Sequence, residues 1–128
     1  MSAQQFAWPS YILDDREEVE DFLFIFPWLV QEAAKVADLL EQDGGRGRER
    51  EEARAAIAAN FYDNCQDGGG WDDLEPIRHR LEVVFDLLLY RMEKRRASVG
   101  QVALARRVAG ELEEMLAPLL AADRRFNQ

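Results

Sequence analysis

Apolar side chains recur along most of this chain at the three- and four-residue spacing that is typical of amphipathic helices. Between these stretches, the polar and glycine-containing segments 44–51 and 63–72 predict connecting loops. No stretch alternates apolar and polar residues with the two-residue period of a strand. The pattern predicts an all-α fold: four helices packed as an antiparallel, up-down-up-down bundle, because short connections join long amphipathic helices.

The most apolar part of the chain is the segment 22–30, FLFIFPWLV, which contains no polar side chain. We expect other helices to cover this segment on all sides. Upstream, Asp14 and Glu17 have the spacing of a capping box, so the first helix is predicted to begin at Asp14. Pro27 is predicted to kink or break this helix near Phe26.

Three further helices are predicted downstream. The second covers about Glu49 to Tyr62, the third opens with the capping-box spacing of Asp72 to Glu75, and the fourth opens with that of Ser98 to Gln101. Pro118 is predicted to bend or end the last turn of the fourth helix. One face of the second helix is expected to allow close approach of a neighbour through its small side chains. That face is formed by Ala53, Ala56, Ile57, Asn60 and Phe61.

The first thirteen residues are unusually rich in large apolar side chains, namely Phe6, Trp8, Tyr11, Ile12 and Leu13. Pro9 interrupts any continuous helix there. We expect an extended arm that packs along the bundle or is held for a partner. The chain is therefore interpreted as one helical domain, 1–128, with an arm at 1–13 and a bundle at 14–128.

Composition narrows the expected location and chemistry. The chain has 128 residues, enough for one domain with a real core, and a net charge of −9 that is concentrated in its first third. The single cysteine, Cys65, cannot form an internal disulfide, and the start of the chain lacks the pattern of a signal peptide. The apolar run is also far shorter than the ~20 residues that span a bilayer. We expect a cytoplasmic protein without a membrane span.

Candidate chemical groups are few. His79 is the only histidine, so we interpret it as a surface residue and expect no metal and no cofactor. The neighbours of Cys65 are acidic, which does not favour a reactive thiolate. No catalytic residue is assigned.

The acidic start of the first helix instead favours binding to a protein partner with a basic surface. Beside it, aromatic residues of the arm are suitable anchors. We expect a non-enzymatic inhibitor, immunity-type or adaptor protein. The predicted contact residues are Trp8, Tyr11, Asp14, Asp15, Glu17, Glu18 and Asp21. A homodimer is kept as an alternative to a monomer, because the arm and the apolar run together carry so much apolar surface.

A second hypothesis comes from a resemblance. The pattern Glu17-Glu18-x-x-Asp21 is similar to the first half of the magnesium-binding motif of all-α nucleotide pyrophosphohydrolases of the MazG kind, and Glu82 with Asp86 is loosely similar to the second half. The spacing of the second half differs by one residue, and more than sixty residues separate the halves, which that family keeps close. The resemblance implies magnesium-dependent nucleotide hydrolysis as the alternative function.

A third hypothesis is a small helical subunit of a nucleoprotein complex. It depends on a basic patch at one end of the bundle that would contact phosphates. The predicted patch residues are Arg91, Lys94, Arg95, Arg96, Arg106 and Arg107. The acidity of the chain as a whole opposes binding to free nucleic acid.

Overall fold

The structure is a computed structural model that describes residues 6–42, 49–65, 74–94 and 96–128. Within these ranges all regular structure is helical, which confirms the all-α prediction. The helices are α1 (Ser10–Leu13), α2 (Arg16–Glu41), α3 (Glu49–Cys65), α4 (Glu75–Lys94) and α5 (Val99–Phe126). The predicted loop at 63–72 starts later than expected, because α3 continues through Cys65, and the remaining residues 66–72 lie outside the described ranges.

The N-terminal arm is not extended as predicted. Ser10–Leu13 forms one helical turn after Pro9, whose carbonyl accepts hydrogen bonds from the amides of Ile12 and Leu13. The proline restricts the chain before this turn but is compatible with a helix that starts directly after it. The arm is thereby shortened and folded onto α2 and α5.

The N-cap of α2 is Asp15, one residue later than predicted. Its carboxylate accepts hydrogen bonds from the amides of Glu17 at 3.0 Å and Glu18 at 3.4 Å. Asp14 instead closes α1 as its C-cap residue. The sequence contains two consecutive aspartates, and only the preceding helical turn, which the sequence pattern did not reveal, decides which of them caps α2.

Two helices continue through an internal proline, so the predicted break at Pro27 and the predicted helix end at Pro118 are wrong, while the alternative of a kink or bend stays a prediction. Pro27 lies inside α2 and does not break it, and Pro118 lies inside α5, which continues for two further turns to Phe126. A proline in a helix removes one backbone hydrogen bond and costs about 3 kcal/mol. Burial of the long apolar faces of both helices on either side of the proline outweighs this cost.

The helix α2 organises the core, since it contacts each of the other four helices. Phe26, Leu29 and Val36 are fully buried along it. They meet apolar side chains of the same periodicity on the neighbouring helices, such as Leu81 of α4 and Leu112 of α5. The capping box predicted at the start of α5 is confirmed, with Ser98 and Gln101 exchanging hydrogen bonds at 2.8 and 3.1 Å.

The helix α3 packs with a different face from the one that the sequence favoured. Its buried side chains are Glu52, Ala55, Ala58, Ala59 and Tyr62, whereas Ile57 and Phe61 point to solvent. The small alanines on the buried face allow close packing, and the larger apolar residues are left outside. The buried face also carries a polar contact, since Glu52 meets Arg91 of α4 in the interior.

Candidate protein-binding surface

The acidic start of α2 is exposed, as the predicted contact surface requires. Asp14, Asp15, Glu17 and Asp21 are exposed and Glu18 is half-buried. Asp14 lies 3.9 Å from Arg125, and Asp15 is engaged as the N-cap. In the described part of the chain, no ion pair and no side-chain hydrogen bond engages the carboxylates of Glu17 and Asp21.

The arm contributes less to this surface than predicted. Trp8 is 5% exposed and donates its indole N–H to the carbonyl of Met115 at 2.7 Å. Its ring makes edge contacts with Phe22 at 5.4 Å and Phe26 at 5.8 Å, so it is part of the core. The assignment of Trp8 as a partner anchor is therefore wrong, because its own domain already provides both an apolar pocket and a hydrogen-bond acceptor. Tyr11, by contrast, is exposed.

The apolar run 22–30 is not covered on all sides, contrary to expectation. Phe24 is 85% exposed, and Trp28, one helical turn further, is only half-buried. Both belong to the same outward face of α2 as Glu17 and Asp21, because the four residues follow one another at four-, three- and four-residue intervals. The run therefore contributes both to the core and to the surface.

This apolar strip continues onto α3. The rings of Trp28 and Phe61 meet edge to face, with centroids 5.6 Å apart and planes at 88°. Ile57, one turn from Phe61, is also exposed. We call the combined surface the α2–α3 face. It consists of Glu17, Asp21, Phe24 and Trp28 of α2 together with Ile57 and Phe61 of α3.

A buried carboxylate lies beyond the aromatic residues, between the second half of α2 and α3. Glu32 is 1% exposed, and its oxygens lie 3.1 Å from Nζ of Lys35 and 3.3 Å from Nε of Arg54. The three side chains line a cavity of about 330 Å³. A buried charge requires such partners. Lys35 and Arg54 are themselves roughly half-exposed, and Asp38 and Glu51 line the same cavity, so cations and carboxylates lie side by side at this end.

The predicted basic patch does not form as expected. Arg91 is completely buried and pairs with Glu52, so it cannot contact a phosphate. Arg106 is exposed but bonded to Glu41 and, at 3.3 Å, to Asp38. The hydrogen bond and charge of Glu41 raise the pKa of the Arg106 guanidinium above its ordinary value. The sequence could not show that α2 supplies acidic partners for these arginines.

Four further residues belong to the predicted patch. Arg96 and Arg107 are exposed, while the side chain of Lys94 and the whole of Arg95 lie outside the described residues. Among the patch residues that the structure describes, Arg91 is buried and Arg106 is paired, which removes two of the six predicted cations from contact with phosphates.

The carboxylates of the pyrophosphohydrolase resemblance do not meet. Glu17, Glu18, Asp21, Glu82 and Asp86 all lie in the described ranges, and no group of three or more potential metal ligands forms there. The magnesium chemistry that the resemblance implies would need such a group. His79 is exposed, as interpreted from the sequence, and the side chain of Cys65 is outside the described residues.

Comparison with family models, with curated proteins and with solved structures gives no match for this chain. In the described ranges, no helix is both long enough and apolar enough to cross a bilayer. Function is therefore inferred from the described surface, where exposed aromatic residues lie beside exposed carboxylates.

Proposed function

We propose that this protein is a non-enzymatic binding module that recognises another protein through the α2–α3 face. The observation that carries the proposal is the 85% exposure of Phe24, beside the half-buried Trp28 and the exposed Ile57 and Phe61. Single exposed apolar residues are common, but a contiguous group rimmed by charges is typical of interaction sites. Aromatic side chains at such a site supply most of the binding energy.

The charges beside the aromatic residues define the partner. Glu17 and Asp21 continue the face toward the N-terminus of α2, where Asp14, Asp15 and Glu18 add further negative charge. A partner with basic residues flanking an apolar centre fits this arrangement. Opposite charges accelerate association and disfavour wrong partners, and added salt weakens such binding. This chemistry suits an inhibitor, an immunity-type protein or an adaptor that acts in the cytoplasm.

A rigid scaffold supports this function. We propose that the four long helices form an antiparallel bundle, in which α2 and α3 run in opposite directions. Two contacts support this order, since Trp28 lies against Phe61 while Glu32, further along α2, lies against Arg54, which comes earlier in α3. Side chains on two packed helices are held in fixed positions, which reduces the entropy lost on binding.

The experiment is capture of partners from the source cell with immobilised protein at low and high salt. We expect a partner that is retained at low salt, released at high salt, and lost with the variants Phe24→Asp and Glu17→Lys/Asp21→Lys. Val99→Asp is the matched control, because Val99 is 88% exposed but lies at the start of α5. Equal capture by wild type and Phe24→Asp would contradict the proposal.

A further inference from the structure

The residues along the outward face of α2 are spaced symmetrically about position 26. Its residues follow one another at intervals of four, three, four, three and four, a series that is unchanged when reversed. They are Glu17, Asp21, Phe24, Trp28, Gln31 and Lys35. Trp28 is half-buried and the others are exposed. Two such helices lying antiparallel would therefore meet residue against residue.

The side chains of this stripe are also complementary when a second, antiparallel copy lies against it. Glu17 at one end is acidic, Lys35 at the other end is basic, and Phe24 and Trp28 occupy the centre. Each end lies nine residues, or about 14 Å, from the midpoint at position 26. A two-fold axis at that point would place Phe24 against Trp28 of the second copy, and Glu17 against Lys35 of the second copy.

We propose that the α2–α3 face binds a second copy of this chain, with the two α2 helices antiparallel about a two-fold axis near residue 26. The inference rests on the proposed function, because it assigns an occupant to the same face. It also identifies the cations that such a partner must offer, which this chain carries at Lys35 and Arg54. A symmetric dimer requires a self-complementary patch of this kind.

Side chains of α3 widen the proposed contact surface along one side of the α2 stripe. Phe61 and Ile57 widen the apolar centre next to Trp28. Arg54 lies at the basic end, where Glu32 fixes its position at 3.3 Å. Along α2 the stripe thus runs from the acidic Glu17 through an apolar centre to Lys35, and Arg54 of α3 lies beside that last residue. A reversed second copy brings its Lys35 to Glu17 and its Glu17 to Lys35.

The net charge of −9 does not prevent this association. At physiological ionic strength the Debye length is about 8 Å, so repulsion between the distant acidic residues of two copies is largely screened. Pairs in direct contact, such as Glu17 with Lys35 of the second copy, lie well within this distance and are screened less. The local order of charges therefore determines the outcome.

Sedimentation equilibrium of the full chain over a range of concentrations tests the inference. We expect a monomer–dimer equilibrium whose dissociation constant rises at least about tenfold in Phe24→Asp. Val99→Asp, which changes an equally exposed residue outside the face, should leave it unchanged. A wild-type chain that remains monomeric at all concentrations, or a dimer that Phe24→Asp leaves intact, would overturn the inference.

A charge exchange tests the antiparallel register. Glu17→Lys and Lys35→Glu should each weaken the dimer, since each places like charges opposite one another twice per dimer. The double variant restores both pairs and should bind more tightly than either single variant. If Lys35→Glu does not fold, because Lys35 also pairs with the buried Glu32, then Glu17→Lys alone must raise the dissociation constant, and Lys35→Gln must raise it less.

The two proposals fail differently. A chain that is monomeric yet captures a different protein through Phe24 overturns the second copy as occupant and leaves the binding function standing. A chain that neither self-associates nor captures any protein overturns both. A dimer that Phe24→Asp dissociates supports both, and restoration by the double variant establishes the register.

Discussion

Arg91 of α4 and Glu52 of α3 form an ion pair that is sealed from solvent, with 0% and 4% of their side chains exposed. The same guanidinium donates to the carbonyl of Leu39 at 2.7 Å and to that of Gln42 at 2.8 Å. These carbonyls lie at the end of α2, where the regular hydrogen bonds of a helix run out. The carbonyl of Leu39 also accepts from the amide of Gln42 at 3.3 Å. One side chain therefore joins three helices and satisfies the end of one of them.

Replacing Arg91 by Met should lower the free energy of unfolding by about 3–5 kcal/mol, since it leaves the carboxylate of Glu52 buried without a partner. Urea denaturation measures the change. The double variant Arg91→Met/Glu52→Met should lose less than the sum of the two single variants, because it leaves no buried charge. A loss below about 1 kcal/mol in Arg91→Met would contradict the role assigned to this pair.

The packing of the arm gives a second prediction. Trp8→Ala should destabilise the domain by about 3–5 kcal/mol, because a buried ring is lost from contacts with Phe22 and Phe26. Trp8→Phe keeps most of the apolar volume but leaves the carbonyl of Met115 without its donor, so it should cost about 1–3 kcal/mol. Thermal unfolding compares the two variants. If both behave like wild type, the arm does not belong to the core.

Phe24 and Phe26 provide a matched pair within one helix. Phe26 is fully buried, so Phe26→Ala should cost about 3–5 kcal/mol, whereas Phe24→Ala should change the free energy of unfolding by less than about 0.5 kcal/mol. Urea denaturation of monomeric samples, at concentrations where no dimer forms, isolates this difference. Equal losses of unfolding free energy at the two positions would show that the side chain of Phe24 does not point to solvent.

Much of the fold could be predicted from local signals. The all-α class follows from helical periodicity, and the start of α5 follows from Ser98 and Gln101, whose capping box involves only neighbouring residues. The start of the predicted first helix, which corresponds to α2, was placed one residue early. The choice between Asp14 and Asp15 as N-cap depends on the helical turn before them. Such tertiary context is not visible in spacing alone.

The site was predicted only in part. Local charge located the exposed carboxylates at Glu17 and Asp21. The prediction that Phe24 is covered was wrong, because a uniformly apolar run gives no sign of which of its side chains face water. The wrong choice of the buried face of α3 has a similar cause, since the buried partner of Glu52 lies thirty-nine residues away at Arg91. The helical spacing of Phe24 and Trp28 with Glu17 and Asp21 was the signal that could have placed these two aromatic residues on the exposed face.

Tyr62 gives a prediction on the dependence of stability on pH. Its buried phenol donates to the carbonyl of Arg78 at 2.9 Å. Burial, and secondarily the negative charge of Glu82, raise the pKa of Tyr62 above its ordinary value. In the unfolded chain the phenol loses its proton near pH 10, while in the folded protein it keeps it. The stability associated with this group is therefore complete below pH 10 and is lost as the pH rises further.

Urea denaturation at pH 9 and at pH 11 should show this loss in wild type but not in Tyr62→Phe, which lacks the ionisable group. Tyr62→Phe should be less stable at pH 9, because it gives up the hydrogen bond to Arg78. Its disadvantage relative to wild type should shrink by about 1 kcal/mol at pH 11. Tyr90→Phe, at a half-exposed position, controls for other groups that titrate in this range. A difference between wild type and Tyr62→Phe that stays constant from pH 9 to pH 11 would show that the phenol ionises as readily in the folded protein as in the unfolded chain.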